Sequence, residues 1–173
     1  MMRNRTTKIT TAGLFAAMIT VMTAYICHIP YGANGGYIHF GDTLIYMAAV
    51  FLPRPYALAA AAIGGGVADL LTAPMWAPAT IIIKALITLP FTSRGGRILA
   101  RRNIAAPFIA AAITAAGYYL TEGILFSSFK TALISLPGSI IQSMGSALIF
   151  LILGASMDKA RVKTKTQKML NLR

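Results

Sequence analysis

Apolar residues in this chain run in long blocks rather than in alternation. Six blocks stand out, at residues 9–29, 40–52, 56–72, 76–91, 105–120 and 133–157. Short segments between them hold most of the basic residues. A helix needs roughly 20 apolar residues to cross a bilayer, and the pattern predicts six transmembrane helices in a single domain spanning residues 1–173. The second block is the anomaly. Its 13 residues, ended by "PRP", rise only about 20 Å as a helix, so it borrows from the preceding loop or sits where the protein is thin. The first block follows Arg3, Arg5 and Lys8, like a signal peptide. It is long and lacks a small-residue cleavage site, so a retained helix is expected. Residues 158–173 read as a short cytoplasmic tail without a core of its own.

Composition sharpens this picture. Of 173 residues, 57% are hydrophobic and 12% charged, against about 25% charged in soluble domains. There are 16 Lys and Arg against 4 Asp and Glu, a net charge of +12. Nucleic-acid binding is excluded, because no hydrophilic basic face is left to follow a phosphate backbone. The placement of the basic residues carries the information. Those before block one, between blocks two and three, between four and five, and after block six all fall on one face of a six-helix arrangement. Lys130 alone falls in a loop on the other. The positive-inside rule then puts both termini in the cytoplasm of a multi-pass plasma-membrane protein. The lone Cys27 excludes a disulfide framework and reads as a packed thiol.

Ionisable residues inside such blocks are costly and mark function. Asp42, Asp69, Lys84 and Glu122 are the set, all at mid-depth or outward. His28 and His39 bracket the first outer loop, and Tyr37, Trp76, Tyr118 and Tyr119 lie at similar height. Together they outline an outward pocket. The aromatics also suit an ordinary interfacial belt, and Asp42 also suits a cap on the second helix. Lys84, half way along its block, calls for an acid partner or a ligand, with Asp69 and Glu122 as candidate partners. No metal or cofactor is expected, since His39 and Asp42 at i, i+3 are too few ligands. No nucleophile elbow, H-E-x-x-H or P-loop occurs, so neither an enzyme nor a self-powered ATPase is expected. "GGGVAD" at residues 64–69 reads as helix packing. Ala12 and Ala16, with Gly13 and Ala17 beside them, form a small-residue strip suited to close helix approach, either internally or to another subunit.

The stretch "GGYIHFGDTLIYMAAVFLPRPYALAAAAIGGGVADLL", the Ala12–Ala16 pair and "PATIIIKAL" at residues 78–86 resemble the substrate-binding S components of energy-coupling factor (ECF) vitamin transporters, in the riboflavin-transporter-type branch. The resemblance covers nearly the whole chain. It implies a subunit that binds a small vitamin-like compound and depends on a T subunit and two ATPase subunits for energy, toppling in the membrane to release substrate. It implies that Ala12 and Ala16 dock the T subunit, and that residues 28–39 form a lid working with helices four to six. It implies substrate contacts from Asn34, Tyr37, His39, Asp42, Trp76, Lys84, Tyr118, Glu122 and Gln142. The aromatic and polar mixture suits a planar heteroaromatic ring such as a pyridine, a pyrimidine or a deazaguanine; riboflavin, which needs a larger cavity, stays open as an alternative. The alternative is a self-sufficient ion-coupled transporter with Asp42, Asp69 and Glu122 as ion sites.

Overall fold

The computed structural model describes residues 2–26, 28–31 and 37–169. The chain runs α1 (Met2–Ala24), β1 (Ile29–Pro30), β2 (Tyr37–Ile38), α2 (Gly41–Phe51), α3 (Arg54–Thr72), a 3-10 turn (Pro74–Trp76) leading into α4 (Ala77–Leu86), α5 (Arg101–Leu125), α6 (Phe129–Lys159) and α7 (Val162–Met169). Four helices, Arg5–Ala24, Arg54–Thr72, Arg101–Leu125 and Phe129–Lys159, are long and apolar enough to cross a membrane. Gly41–Phe51 and Pro74–Leu86 are apolar but shorter. Large side chains such as Leu14, Ile63, Phe108, Ile134 and Leu148 point outward. In water this would be an aggregating surface; against lipid it is the expected one.

The short second block now has a physical reason. Ten of the 11 residues of α2 are buried, and the helix packs against α1, α3 and α6. It is enclosed by protein instead of lipid, so its length need not match the bilayer. Its Tyr46 stacks on Phe91 at 4.8 Å, and Phe150 meets both rings edge-on at 5.8 and 5.6 Å. The triple glycine of α3 lets two neighbours approach. A Cβ on Gly64 would lie 2.8 Å from the Ala16 carbonyl oxygen in α1, and one on Gly65 would lie 2.8 Å from Lys84 Cγ in α4. The glycines thus seat the one internal lysine of the fourth block.

Several boundaries differ from the expectation. α1 ends at Ala24, not residue 29, because the next residues leave the helix for an antiparallel pairing, Ile29 with Ile38 and Pro30 with Tyr37. α4 ends at Leu86 instead of 91, while α5 and α6 extend past both ends of their apolar blocks. The tail is corrected too. α7 docks on the loop before α5: Lys163 Nζ donates to the Arg97 carbonyl at 3.0 Å, Thr164 Oγ1 to Gly96 at 3.2 Å and Gln167 Nε2 to Ser93 at 3.2 Å. Lys163 is fully buried. Asp158, at the end of α6, accepts the backbone N–H groups of Ile98 and Leu99 at 2.7 and 2.9 Å. Polar periodicity hid this docking, because its bonds run to backbone and need no apolar stripe.

Candidate ligand-binding site

A cavity of about 80 Å³ lies beneath the β1–β2 pairing, at the C-terminal ends of α3 and α5 and the N-terminal half of α6. Tyr31, Tyr37, Ile38 and His39 cover it; Asp69, Trp76, Tyr118 and Glu122 form one wall; Ser135, Gly138, Ser139 and Gln142 form the other. Of the residues predicted for the site, Tyr37, His39, Trp76, Tyr118, Glu122 and Gln142 line it. Asn34 lies outside the described residues. Asp42 and Lys84 do not line it. Both are buried behind it, where Lys84 Nζ donates to Asp42 Oδ1 at 2.6 Å.

Two expectations about that pair are corrected. Asp69 and Glu122 are not the salt-bridge partner of Lys84; Asp42 is, with the Lys84 stem seated against Gly65 of α3. Asp42 does not cap α2 either. The Gly41 N–H at that helix start donates instead to His39 Nδ1 at 2.9 Å. This bond assigns the ring proton of neutral His39 to Nε2. His39 is driven down to about 3 by burial and by the nearby Lys84 charge, so it stays neutral at physiological pH.

Two hydrogen-bonded chains hold the walls. In the first, Gln142 Nε2 donates to Asp42 Oδ2 at 3.3 Å while Gln142 Oε1 accepts the His39 N–H at 3.3 Å. The core ion pair therefore orients an amide that grips the covering segment. In the second, the Tyr37 hydroxyl donates to Asp69 Oδ1 and the Thr80 hydroxyl to Asp69 Oδ2. Tyr118 OH lies 2.9 Å from Thr80 Oγ1. The Tyr37 hydroxyl is pushed up by burial and by the Asp69 carboxylate, so it remains a donor. Tyr37 also stacks on His28 at 3.9 Å. Ser135 Oγ donates to Glu122 Oε1 at 2.8 Å, and Trp76 meets Tyr118 edge-on at 6.0 Å.

Tyr31, Ser135 and Ser139 line the cavity without having been predicted, and Asp69, expected in the pocket's polar set though not as a substrate contact, lines it too. Part of that wall was legible. Ser135, Gly138, Ser139 and Gln142 recur at i, i+3, i+4 and i+7, a polar stripe on an otherwise apolar helix.

The profile of the family described as ECF-type riboflavin transporter, S component, matches residues 3–159. The chain belongs to this family. ECF S components are transport subunits rather than enzymes, and they work with T and ATPase subunits in a membrane. A Pyrococcus woesei protein described as "Uncharacterized protein in gap 3'region" is 33% identical over 84 residues, 45% of this chain and 57% of its own length. The chain thus spans little more than half of that relative.

This S component carries a second concave feature. A groove of about 620 Å³ runs between α1 and α3, lined by Ala12, Gly13, Ala16, Ala17, Thr20, Pro55, Tyr56, Ala59 and their neighbours. Ala12 and Ala16 form its floor and are nearly covered by α3. Gly13 opens outward, with nothing within 4 Å of an added Cβ.

Proposed function

We infer that this S component is the high-affinity substrate-binding subunit of an ECF importer for a one-ring, vitamin-like heteroaromatic compound of the hydroxymethylpyrimidine or pyridoxine type. The observation that carries the reading is the cavity in which Tyr37, Trp76 and Tyr118 supply aromatic surface and His39, Glu122 and Gln142 supply polar groups. Its small volume, against the 300–1,000 Å³ usual for drug-sized ligands, favours a single ring over a flavin. Asp42 and Lys84 act as positioning residues behind the wall. The ion-coupled alternative loses support at Asp42, whose charge is neutralised by Lys84.

In this reading the chain is one six-helix unit with cytoplasmic termini. The support is that α5 and α6 carry the cavity at one end and the basic loop and α7 at the other. The groove over Ala12 and Ala16 receives a helix of the T subunit, and two ATPase subunits complete the importer. Native mass spectrometry of the protein purified from its own host tests this: a retained small aromatic compound is expected, with the T and ATPase subunits in the same assembly. Gly13→Leu, which fills the open groove beside Ala12 and Ala16, should abolish the assembly and leave ligand retention intact. Uptake into vesicles by the isolated chain, driven by an ion gradient alone, would overturn the reading.

A further inference from the structure

The cavity wall carries two formal charges, and both are negative. Asp69 and Glu122 line it, each only 4% exposed. Among the described residues no Lys or Arg lines it, and Lys84, behind the wall, bonds Asp42 at 2.6 Å. His39, with Nδ1 occupied by the Gly41 N–H, is neutral and adds none. Two carboxylates at a buried, low-dielectric site repel an anion and favour a cation or a strong N–H donor.

A second, independent observation concerns Trp76. Its ring lines the cavity and is 6% exposed, yet its indole N–H finds no hydrogen-bond acceptor among the described residues. Buried donors are seldom left unpaired. The indole is a donor only, so the missing partner is an acceptor that the ligand brings.

We propose that the cavity selects a nitrogen heteroaromatic bearing a protonated amine or amidine, whose positive group faces Asp69 and Glu122 while a ring acceptor takes the Trp76 N–H, and that it rejects carboxylated and phosphorylated forms of the same ring. This rests on the binding reading above and adds to it the charge class of the substrate. Uncharged tyrosines flanking the site serve stacking, which any aromatic ring satisfies. The charge of the substituent, not the ring, is what the carboxylates discriminate.

The test is calorimetric titration of the full chain in nanodiscs with two matched sets of probes. One is pyridoxamine, pyridoxine and 4-pyridoxic acid. The other is 4-amino-2-methylpyrimidine bearing aminomethyl, hydroxymethyl or carboxyl at position 5. Within the ring series that binds, the amine should exceed the alcohol by about tenfold or more, as a charge-assisted hydrogen bond implies, and the acid should bind weakest. Asp69→Asn and Glu122→Gln should each narrow the amine-to-alcohol ratio. An alcohol or acid that binds as tightly as the amine overturns the proposal and leaves the S-component reading standing. So does an unchanged ratio in both variants. Absence of binding by all six probes at millimolar concentration also overturns it. In that case copurification of the T and ATPase subunits decides whether the broader reading falls with it.

Discussion

The two ends of the bundle are both built from buried polar side chains on irregular backbone, but they use them in opposite ways. At the α7 end the side chains bond backbone. Asp158 accepts Ile98 and Leu99 N–H groups, Lys163 donates to Arg97, and Asn103 Nδ2 donates to Thr92 and Ile98 at 3.0 and 2.8 Å. Every bond closes a loop that would otherwise leave backbone groups unmet. At the cavity end the side chains mostly bond one another, Tyr37 to Asp69 to Thr80 to Tyr118, and Lys84 to Asp42 to Gln142. There an indole donor is left over beside an open volume. Side-chain-to-backbone bonds fix a shape. Side-chain networks around a void can trade partners with a ligand. The comparison teaches that buried polarity alone does not mark a binding site; what it bonds to does.

The largest expected effect lies behind the cavity. Lys84→Met strands the Asp42 carboxylate at a site that is fully buried, which should destabilise the protein by about 3–5 kcal/mol. Adding Asp42→Leu should recover most of that loss, since the double change removes both charges. Thermal unfolding of both variants in the same detergent checks this, and a single variant of wild-type stability would remove the ion pair from the account. At the other end, Asp158→Ala leaves two backbone N–H groups without their acceptor, at about 1–3 kcal/mol each where water cannot replace it. Its signature is local: faster hydrogen exchange at Ile98 and Leu99 and protease cleavage in the loop, with ligand affinity unaltered. Altered affinity would mean that the two ends are coupled.

Trp76→Phe should separate stability from binding. It deletes a donor that bonds nothing among the described residues, so the melting temperature of the ligand-free form should change little. Affinity for an acceptor-bearing ligand should fall about tenfold, the value of one hydrogen bond. An equal loss in both would make the indole N–H structural. The smallest effect concerns pH. Burial lowers the Lys163 ammonium to about 8, while the Asp158 charge works the other way. The undocked residue titrates near 10.4, so the undocked state binds more protons between about pH 8 and 10.4. Docking of α7 should therefore strengthen as pH rises through that window and be weakest below it. Spin-label distances between Arg94 and Lys168 across this range, with Lys163→Met as a flat control, read it directly.

Much of the fold was legible because apolar blocks register the surroundings of each helix, which is a local property. The blocks at 56–72, 105–120 and 133–157 fall within α3, α5 and α6, and the glycine triplet reads correctly as a packing surface. The lining residues Tyr37, Trp76, Tyr118 and Glu122 were legible as costly or aromatic groups at one height. The role of Asp69 was not, since an acid on a helix end shows its depth but not which way it turns.

An all-α membrane architecture, a basic end, and an end rich in aromatics and isolated acids can all be read from the residues in order. These follow from hydrophobicity and charge, which act residue by residue. Only the tertiary structure decided that Lys84 pairs with Asp42, 42 positions away, that His39 rather than Asp42 meets the start of α2, and that the tail folds back to close a loop. Those outcomes depend on how far each helix is rotated and how closely the glycines of α3 let its neighbours approach. Burial then enforces the pairing, because a charge taken out of lipid and water together must find its partner inside the protein.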